Sequence, residues 1–348
     1  MRKSYFLISA CAFTLVGLSS AFAALPAPAY VDVKNGSNGN TGTGCAITTP
    51  CADLNHALSV LGTGGANVVI IVGGGIFGPV VLTQDIDIIG TDPNEYANII
   101  ADPTLAVGCI GHLPGSCVPP NNGYAVEFAG GPTDGLRLSH VAVRSSGGTS
   151  SALKFGSGID LKVMYSVFNG GDTSPAVQIY PNNGATSQVN VYFAHNEISG
   201  GSGALAGAVE VMPSGSTSVG LHFNHMQVHG AAFGIRTDGS LIASGRNVST
   251  FVSESEFFGF NGAAVNAFSV AGTGTVNAVF DTTRVLYANV ALKANGPLSS
   301  VVLTNNTVSG NFTGVQVLNS ATVLTSGNNT IRNNTTNISG SLTPAPLN

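Results

Sequence analysis

From Leu136 to Asn334 the chain alternates apolar and polar residues in short runs, and the runs recur. The fragments NEISG (196–200), MQVHG (226–230), SEFFG (255–259), NTVSG (306–310) and NTIRN (329–333) share one pattern. Aligned on their central apolar residue, the repeats place anchors at Val143, Phe168, Ile198, Val228, Phe257, Val285, Val308 and Ile331. The intervals are 25, 30, 30, 29, 28, 23 and 23 residues. The seventh and fifth residues before an anchor are apolar at Leu136/Leu138, Leu161/Val163, Val191/Phe193, Leu221/Phe223 and Val301/Leu303. After the anchor, a polar turn of variable length leads to a second alternating run. Its apolar pairs are Leu153/Phe155, Val177/Ile179, Val209/Val211, Ile235/Thr237, Val265/Ala267, Val290/Leu292 and Val315/Val317. A period of two is that of a strand with one buried face. Units recurring at this interval cannot bury that face alone and must stack. No repeat holds a helical stretch, so the prediction is an all-β parallel β-helix, with coils of three short strands.

Stacking puts like residues in columns, with rungs about 4.8 Å apart. Val209, Val211, Ile235, Val265, Val315 and Val317 are expected to be buried, with Glu210, Arg236 and Gln316 exposed between them. Asn196, Asn306 and Asn329 stand two residues before their anchors. There each amide can bond to the next rung's backbone and form an internal ladder. Sequons such as Asn311-Phe312-Thr313 are accordingly read as turn chemistry, not as glycosylation sites.

The N-terminal segment reads differently. Residues 1–23 carry a basic start (Arg2, Lys3), an apolar middle and the small-residue end Ala21-Phe22-Ala23, the pattern of a secretory signal peptide. One domain is expected over 24–348, with a cap over about 30–67 and coils over about 68–342. Without the leader, 10 basic residues face 17 acidic ones, a net charge of −7. No basic run remains, which argues against nucleic acid and against insertion into membranes. Cys45, Cys51, Cys109 and Cys117 form two close pairs in an exported chain, so the disulfides Cys45–Cys51 and Cys109–Cys117 are expected. Leu54, Ala57, Leu58 and Leu61 fall at helical spacing, so a short amphipathic helix should cover the open first rung. The Asn/Thr-rich far end discourages end-to-end stacking, and a monomer is expected.

Residues 30–100 resemble the opening of secreted right-handed parallel β-helix proteins of the pectin-lyase-like superfamily. The resemblance rests on Tyr30-Val31-Asp32-Val33, a Gly/Asn/Thr loop, Pro50 leading into Leu54-Asn55-His56-Ala57-Leu58, then Val68 to Val72 and Ile86 to Gly90. The coil consensus from Leu136 onward is similar too. The resemblance implies a right-handed β-helix carrying its site on the sheet after the variable turn. It does not imply one activity, since that fold hosts lyases, hydrolases, esterases, epimerases and adhesins. The catalytic aspartate motifs of pectin methylesterases find no match here, because Gln84-Asp85-Ile86 lies too early. The motif set of polygalacturonases and the aspartate cluster of calcium-dependent pectate lyases are absent as well.

On that sheet the expected outward columns are Lys154, Gln178, Glu210, Arg236, Asn266, Ala291, Gln316 and Gly156, Tyr180, Met212, Asp238, Phe268, Lys293, Leu318. Glu210, Arg236 and Asp238 are the candidate catalytic group, two carboxylates for proton transfer around a guanidinium that can bind an acidic sugar. Tyr180, Gln178, Asn266, Phe268 and Lys293 are the candidate ligand contacts, the aromatics suiting the apolar faces of sugar rings. Arg236→Ala is expected to weaken binding with little loss of thermal stability, since an exposed charge contributes little to folding.

A second constellation stands three residues before the anchors, at His140, Tyr165, His195, His225 and Glu254, while Tyr192 and His222 stand six before. Two histidines and a carboxylate on consecutive rungs can hold a metal. Solvated turn histidines are the favoured reading, and no metal or other cofactor is expected. The expected function is binding of an extended polysaccharide or surface glycan, outside the cell or in the periplasm. The alternatives are a polysaccharide lyase or glycoside hydrolase and a structural, adhesin-like surface protein.

Overall fold

The computed structural model describes residues 28–39, 45–61, 67–92, 94–102, 108–109, 123–145, 147–148, 151–183, 188–201 and 203–345. The expected signal segment 1–23 and Cys117 lie outside them, and with Cys117 the expected Cys109–Cys117 bond.

Alternation dictates the architecture. A strand apolar on one face gains both hydrogen bonds and burial by laying the next repeat on its edge. Among the described residues, twelve parallel strands form one sheet, in chain order from Ala29–Val31 through Gln188–Ala194 and Ser218–Asn224 to Thr343–Pro344. We call this the long sheet. Nineteen strands form the rest. They make two stacked faces, joined where Glu256–Phe268 and Arg284–Asn295 run unbroken around a corner. The face with the short strands Val167–Asn169, Glu197–Ser199 and Gln227–His229 is the anchor sheet. The face with Val177–Ile179, Val209–Val211 and Ile235–Asp238 is the ladder sheet. The chain is thus a right-handed parallel β-helix.

The eight anchors occupy one column: Val143 pairs with Phe168, Phe168 with Ile198, and so on through Val228, Phe257, Val285, Val308 and Ile331. Two earlier coils extend the column to Ile99 and Phe77. Phe168, Phe193, Phe223, Phe257 and Phe280 are fully buried within the coil. Burying each contributes roughly 2–3 kcal/mol.

The bend from the long sheet to the anchor sheet has a single design. One residue per coil takes a left-handed backbone: His140, Tyr165, His195, His225, Glu254, Thr282 and Asn305 have φ between 49 and 56°. The following residue turns inward, and where it is Asn or Ser its side chain serves the backbone of the neighbouring rung. Asn196 Oδ1 accepts the Ser166 N–H at 2.8 Å, Asn306 Oδ1 that of Thr283 at 3.0 Å, and Asn329 Oδ1 that of Asn306 at 2.9 Å. The expected asparagine ladder is therefore present, interrupted at Met226, with Ser166 accepting the Val141 N–H and Ser255 that of Met226 where no Asn stands. Asn311, the sequon residue, is also buried and caps the Ala288 N–H at 2.9 Å, which makes it turn chemistry as expected.

The cap matches its pattern. Asp53 caps helix Leu54–Val60 by accepting the His56 N–H, and Leu54, Ala57 and Leu58 are buried. Leu61 lies just past the helix, partly buried against the core. Cys45 and Cys51 are bonded, both fully buried beside the first rung.

Burial departs from expectation on the ladder sheet. Val209, Val211, Ile235, Val265 and Val315 are buried as assigned, but Val317 is only half-buried near the open end. Glu210, Arg236 and Gln316 are half-buried, not exposed, because neighbouring rungs crowd their side chains. The pair Val290/Leu292 is out of register. Leu292 and Ala294 pair with Val265 and Ala267, and Ala291, expected outside, is fully buried. A bulge between Phe260 and Ala263 shifts that coil.

Candidate functional site

The ladder sheet follows the variable turns, and its outward position carries a polar side chain on eight consecutive rungs. Glu127, Lys154, Gln178, Glu210, Arg236, Asn266, Lys293 and Gln316 are successive partners. Lys293 thus belongs to this column, where the sequence reading had Ala291. Glu127 was missed because it precedes the first recognisable repeat. The second column has Asp238, Phe268, Asn295 and Leu318 in line, with Asn295 where Lys293 is expected from the sequence.

Like charges on adjacent rungs would repel, and none adjoin here: Glu127 meets Lys154 and Glu210 meets Arg236, with Gln178 and Asn266 as neutral spacers. Lys154 Nζ meets Glu127 Oε1 at 3.0 Å and lies over the Tyr124 ring at 4.8 Å. Gln178, one rung on, is buried and committed to the scaffold. Its Nε2 donates to Ser151 Oγ at 2.9 Å and its Oε1 accepts from the Tyr124 hydroxyl at 3.3 Å. It is therefore a weaker ligand contact than its column position suggested.

Glu210, Arg236 and Asp238 do come together, as expected. Arg236 Nη1 lies 3.5 Å from Glu210 Oε1, and Nη2 donates to Asp238 Oδ2 at 2.9 Å. The Tyr180 hydroxyl donates to Glu210 Oε2. Burial, reinforced by this hydrogen bond and by the Glu210 charge, pushes the Tyr180 phenol far above its ordinary range, so it stays a neutral donor. Asp238 was assigned outward, yet its side chain is only 4% exposed. Its second oxygen accepts the Ser240 N–H at 2.9 Å. Both carboxylates are thus engaged by groups of the chain itself. A guanidinium bridging a buried and a half-buried carboxylate contributes to the fold, and removing it leaves Asp238 buried without its cation. Arg236 is therefore not the exposed charge on which the expectation of little stability loss rested.

Two polar atoms here lack partners. Arg236 Nε and Asn266 Oδ1 are buried on adjacent rungs with none among the described residues. Phe268 is half-buried beside Asp238, and Lys293 has no ion-pair partner among the described residues.

The histidine column is ordered but does not converge. His140, Tyr165, His195 and His225 stack ring on ring, with centroids 5.0, 4.9 and 4.6 Å apart. His225 Nε2 then meets Glu254 Oε2 at 2.7 Å. Stacked imidazoles hold their nitrogens in parallel planes, whereas metal ligands must point at one centre. Among the described residues no three His, Cys, Asp or Glu side chains gather as a metal site.

No protein-family model matches this chain, and no curated protein sequence matches it. Among solved structures, pectin methylesterase PemA from Erwinia chrysanthemi superposes with a TM-score of 0.42 at 9% identity, over 75% of this chain and 80% of that one. Pectin methylesterase from carrot superposes with a TM-score of 0.41 at 11% identity, over 84% of this chain and 88% of that one.

Proposed function

We propose that this protein holds an extended polysaccharide along the ladder sheet. The observation that carries the reading is the run of eight polar outward rungs, set over an apolar inward column. A polymer lying across the rungs meets a new hydrogen-bonding side chain about every 4.8 Å. Lys293 supplies a cation without an ion-pair partner among the described residues, and Phe268 a ring face for a sugar. Glu210, Arg236 and Asp238 shape the middle of this surface. Their mutual pairing favours binding over turnover, since a general acid or base needs a free proton path to the substrate. Export fits the chain: Cys45–Cys51 belongs to an oxidising compartment. No helix among the described residues is long and apolar enough to cross a membrane.

The test uses immobilised plant and bacterial polysaccharides, measuring retention together with new reducing or unsaturated ends. Lys293→Ala and Phe268→Ala should each weaken retention by about tenfold, the worth of one good contact. Release of new chain ends, lost in Glu210→Gln, would replace binding by a lyase or hydrolase activity. Absence of retention on every polymer would leave a structural surface protein.

A further inference from the structure

The long sheet has an outer face that the ladder-sheet reading does not use, and it is shaped as a groove. Its floor is one backbone gap. Asp160, Asn190, Gly220, Ser249 and Asn277 are successive partners, so Gly220 leaves a missing side chain in an otherwise polar column. Beside it runs an aromatic column, in which Tyr192 pairs with His222, His222 with Phe251, and Phe251 with Val279. The three rings meet edge to face, Tyr192 with His222 at 5.3 Å and His222 with Phe251 at 5.1 Å. The resulting open cavity, 670 Å³, is lined by both columns. Phe251 is 39% exposed within it. With Tyr192 and His222 it forms a partly exposed ring surface rimmed by Asn190, Ser249 and Asn277, the character of a ligand-binding groove.

We propose that this groove is a second glycan site, one that takes a neutral pyranose chain lying across the rungs. Charge and hydrogen-bonding complementarity select that occupant. From Asn190 to Val279 the lining holds no carboxylate, ammonium or guanidinium group. The one ion pair, Lys162 with Asp160 at 2.7 Å, stands at one end and neutralises itself. The polar column offers amides and a hydroxyl, which pair with sugar hydroxyls in either direction. The ring column offers faces and edges to the apolar side of each sugar. Gly220 admits one ring to the floor, flanked by Gln188 and Asn190. The two columns together thus match a polymer that is hydroxylated on its edges and apolar on its faces.

The inference stands apart from the ladder-sheet reading, and the experiment separates them. The full chain with its disulfide intact is titrated with a β-1,4-linked glucan oligosaccharide, a β-1,4-linked xylan oligosaccharide and an oligogalacturonate, by calorimetry. A neutral oligosaccharide should bind, and Tyr192→Ala and Phe251→Ala should each weaken it by about tenfold, while Phe251→Tyr preserves it. Gly220→Gln should abolish binding by filling the floor. Gly220 is not among the positive-φ glycines and the nearest atom is the far end of Gln188, so Gly220→Gln should melt as the wild type does. Equal affinity of the groove variants and the wild type would overturn the second site. So would binding of oligogalacturonate alone, or concentration-dependent dimerisation lost in Phe251→Ala. Loss of binding in Lys293→Ala and Phe268→Ala, with the groove variants unaffected, would leave the ladder sheet as the glycan surface. The reverse pattern would remove the ladder sheet and keep the groove.

Discussion

Single side chains decide whether the ladder sheet is surface or scaffold. Arg236 is the clearest case, since its guanidinium reaches two carboxylates whose own exposure is 13% for Glu210 and 4% for Asp238. Arg236→Ala should therefore lower unfolding free energy by about 3 kcal/mol, as for other broken buried pairs. Urea denaturation gives the value, and an unchanged midpoint would return the group to a solvated surface pair. Tyr180 supports a second prediction. Its phenol is raised above the ordinary 10.0 by burial, then by Glu210. A raised pKa favours the neutral folded form, so its stabilising contribution is whole below pH 10. As pH climbs further the unfolded chain releases the proton first, and stability falls. Tyr180→Phe should flatten that alkaline loss, seen as a shallower decline of melting temperature with pH. A decline as steep as that of the wild type would mean Tyr180 ionises freely.

At the scale of the element, the bend between long and anchor sheets is maintained by a backbone need. A left-handed residue leaves the N–H of the residue after it facing inward, and a buried N–H without an acceptor is costly. Asn306 answers two such needs at once, accepting from Thr283 and donating to Phe280 O at 2.8 Å. Asn306→Ala should cost about 2–3 kcal/mol. Asn277→Ala, on the exposed face of the long sheet, should change stability by less than about 0.5 kcal/mol. Equal effects on thermal unfolding would show that the internal amides are not what holds the bend. The same bend places His140, Tyr165, His195 and His225 in a stack through conformation, not through a shared ligand. At His225, φ is 51°, so His225→Val should be less stable than His225→Gly by roughly 1–2 kcal/mol.

Over the whole molecule, stability is a chain of neighbour contacts, and the ends are its weak points. The first rung is closed by helix Leu54–Val60 and by the loop that Cys45–Cys51 ties. Replacing both cysteines by serine should cost about 2–3 kcal/mol, the entropy of a short closed loop. The effect should stay at the cap: hydrogen exchange ought to quicken over 29–31 and 54–60 and stay slow over 209–211. Leu58→Asp should go further and uncover the apolar rung, giving concentration-dependent association in light scattering. A monodisperse Leu58→Asp variant would mean the rung is protected by something other than the helix.

The order of these outcomes follows from what local chemistry can specify. Inward positions were legible from sequence because burial imposes a strict period of two, and every coil must satisfy the same interior; the eight anchors line up for that reason. The asparagine ladder and the capping helix were legible because each answers a local backbone or edge requirement. Outward positions obey no such constraint. Sequence alone grouped Glu210, Arg236 and Asp238, but only packing decided that Asp238 is buried and that Arg236 bridges both carboxylates. Lys293 changed columns because the bulge after Phe260 shifts a coil, and bulges leave no mark in the apolar alternation. Tyr192 and His222 share a repeat position that Phe251 also holds, yet only stacking shows that Gly220 opens a floor beside them. Periodicity along the chain thus determined which residues face in. What the outward residues form together depended on rung-to-rung register and side-chain contact, which are properties of the assembled coil.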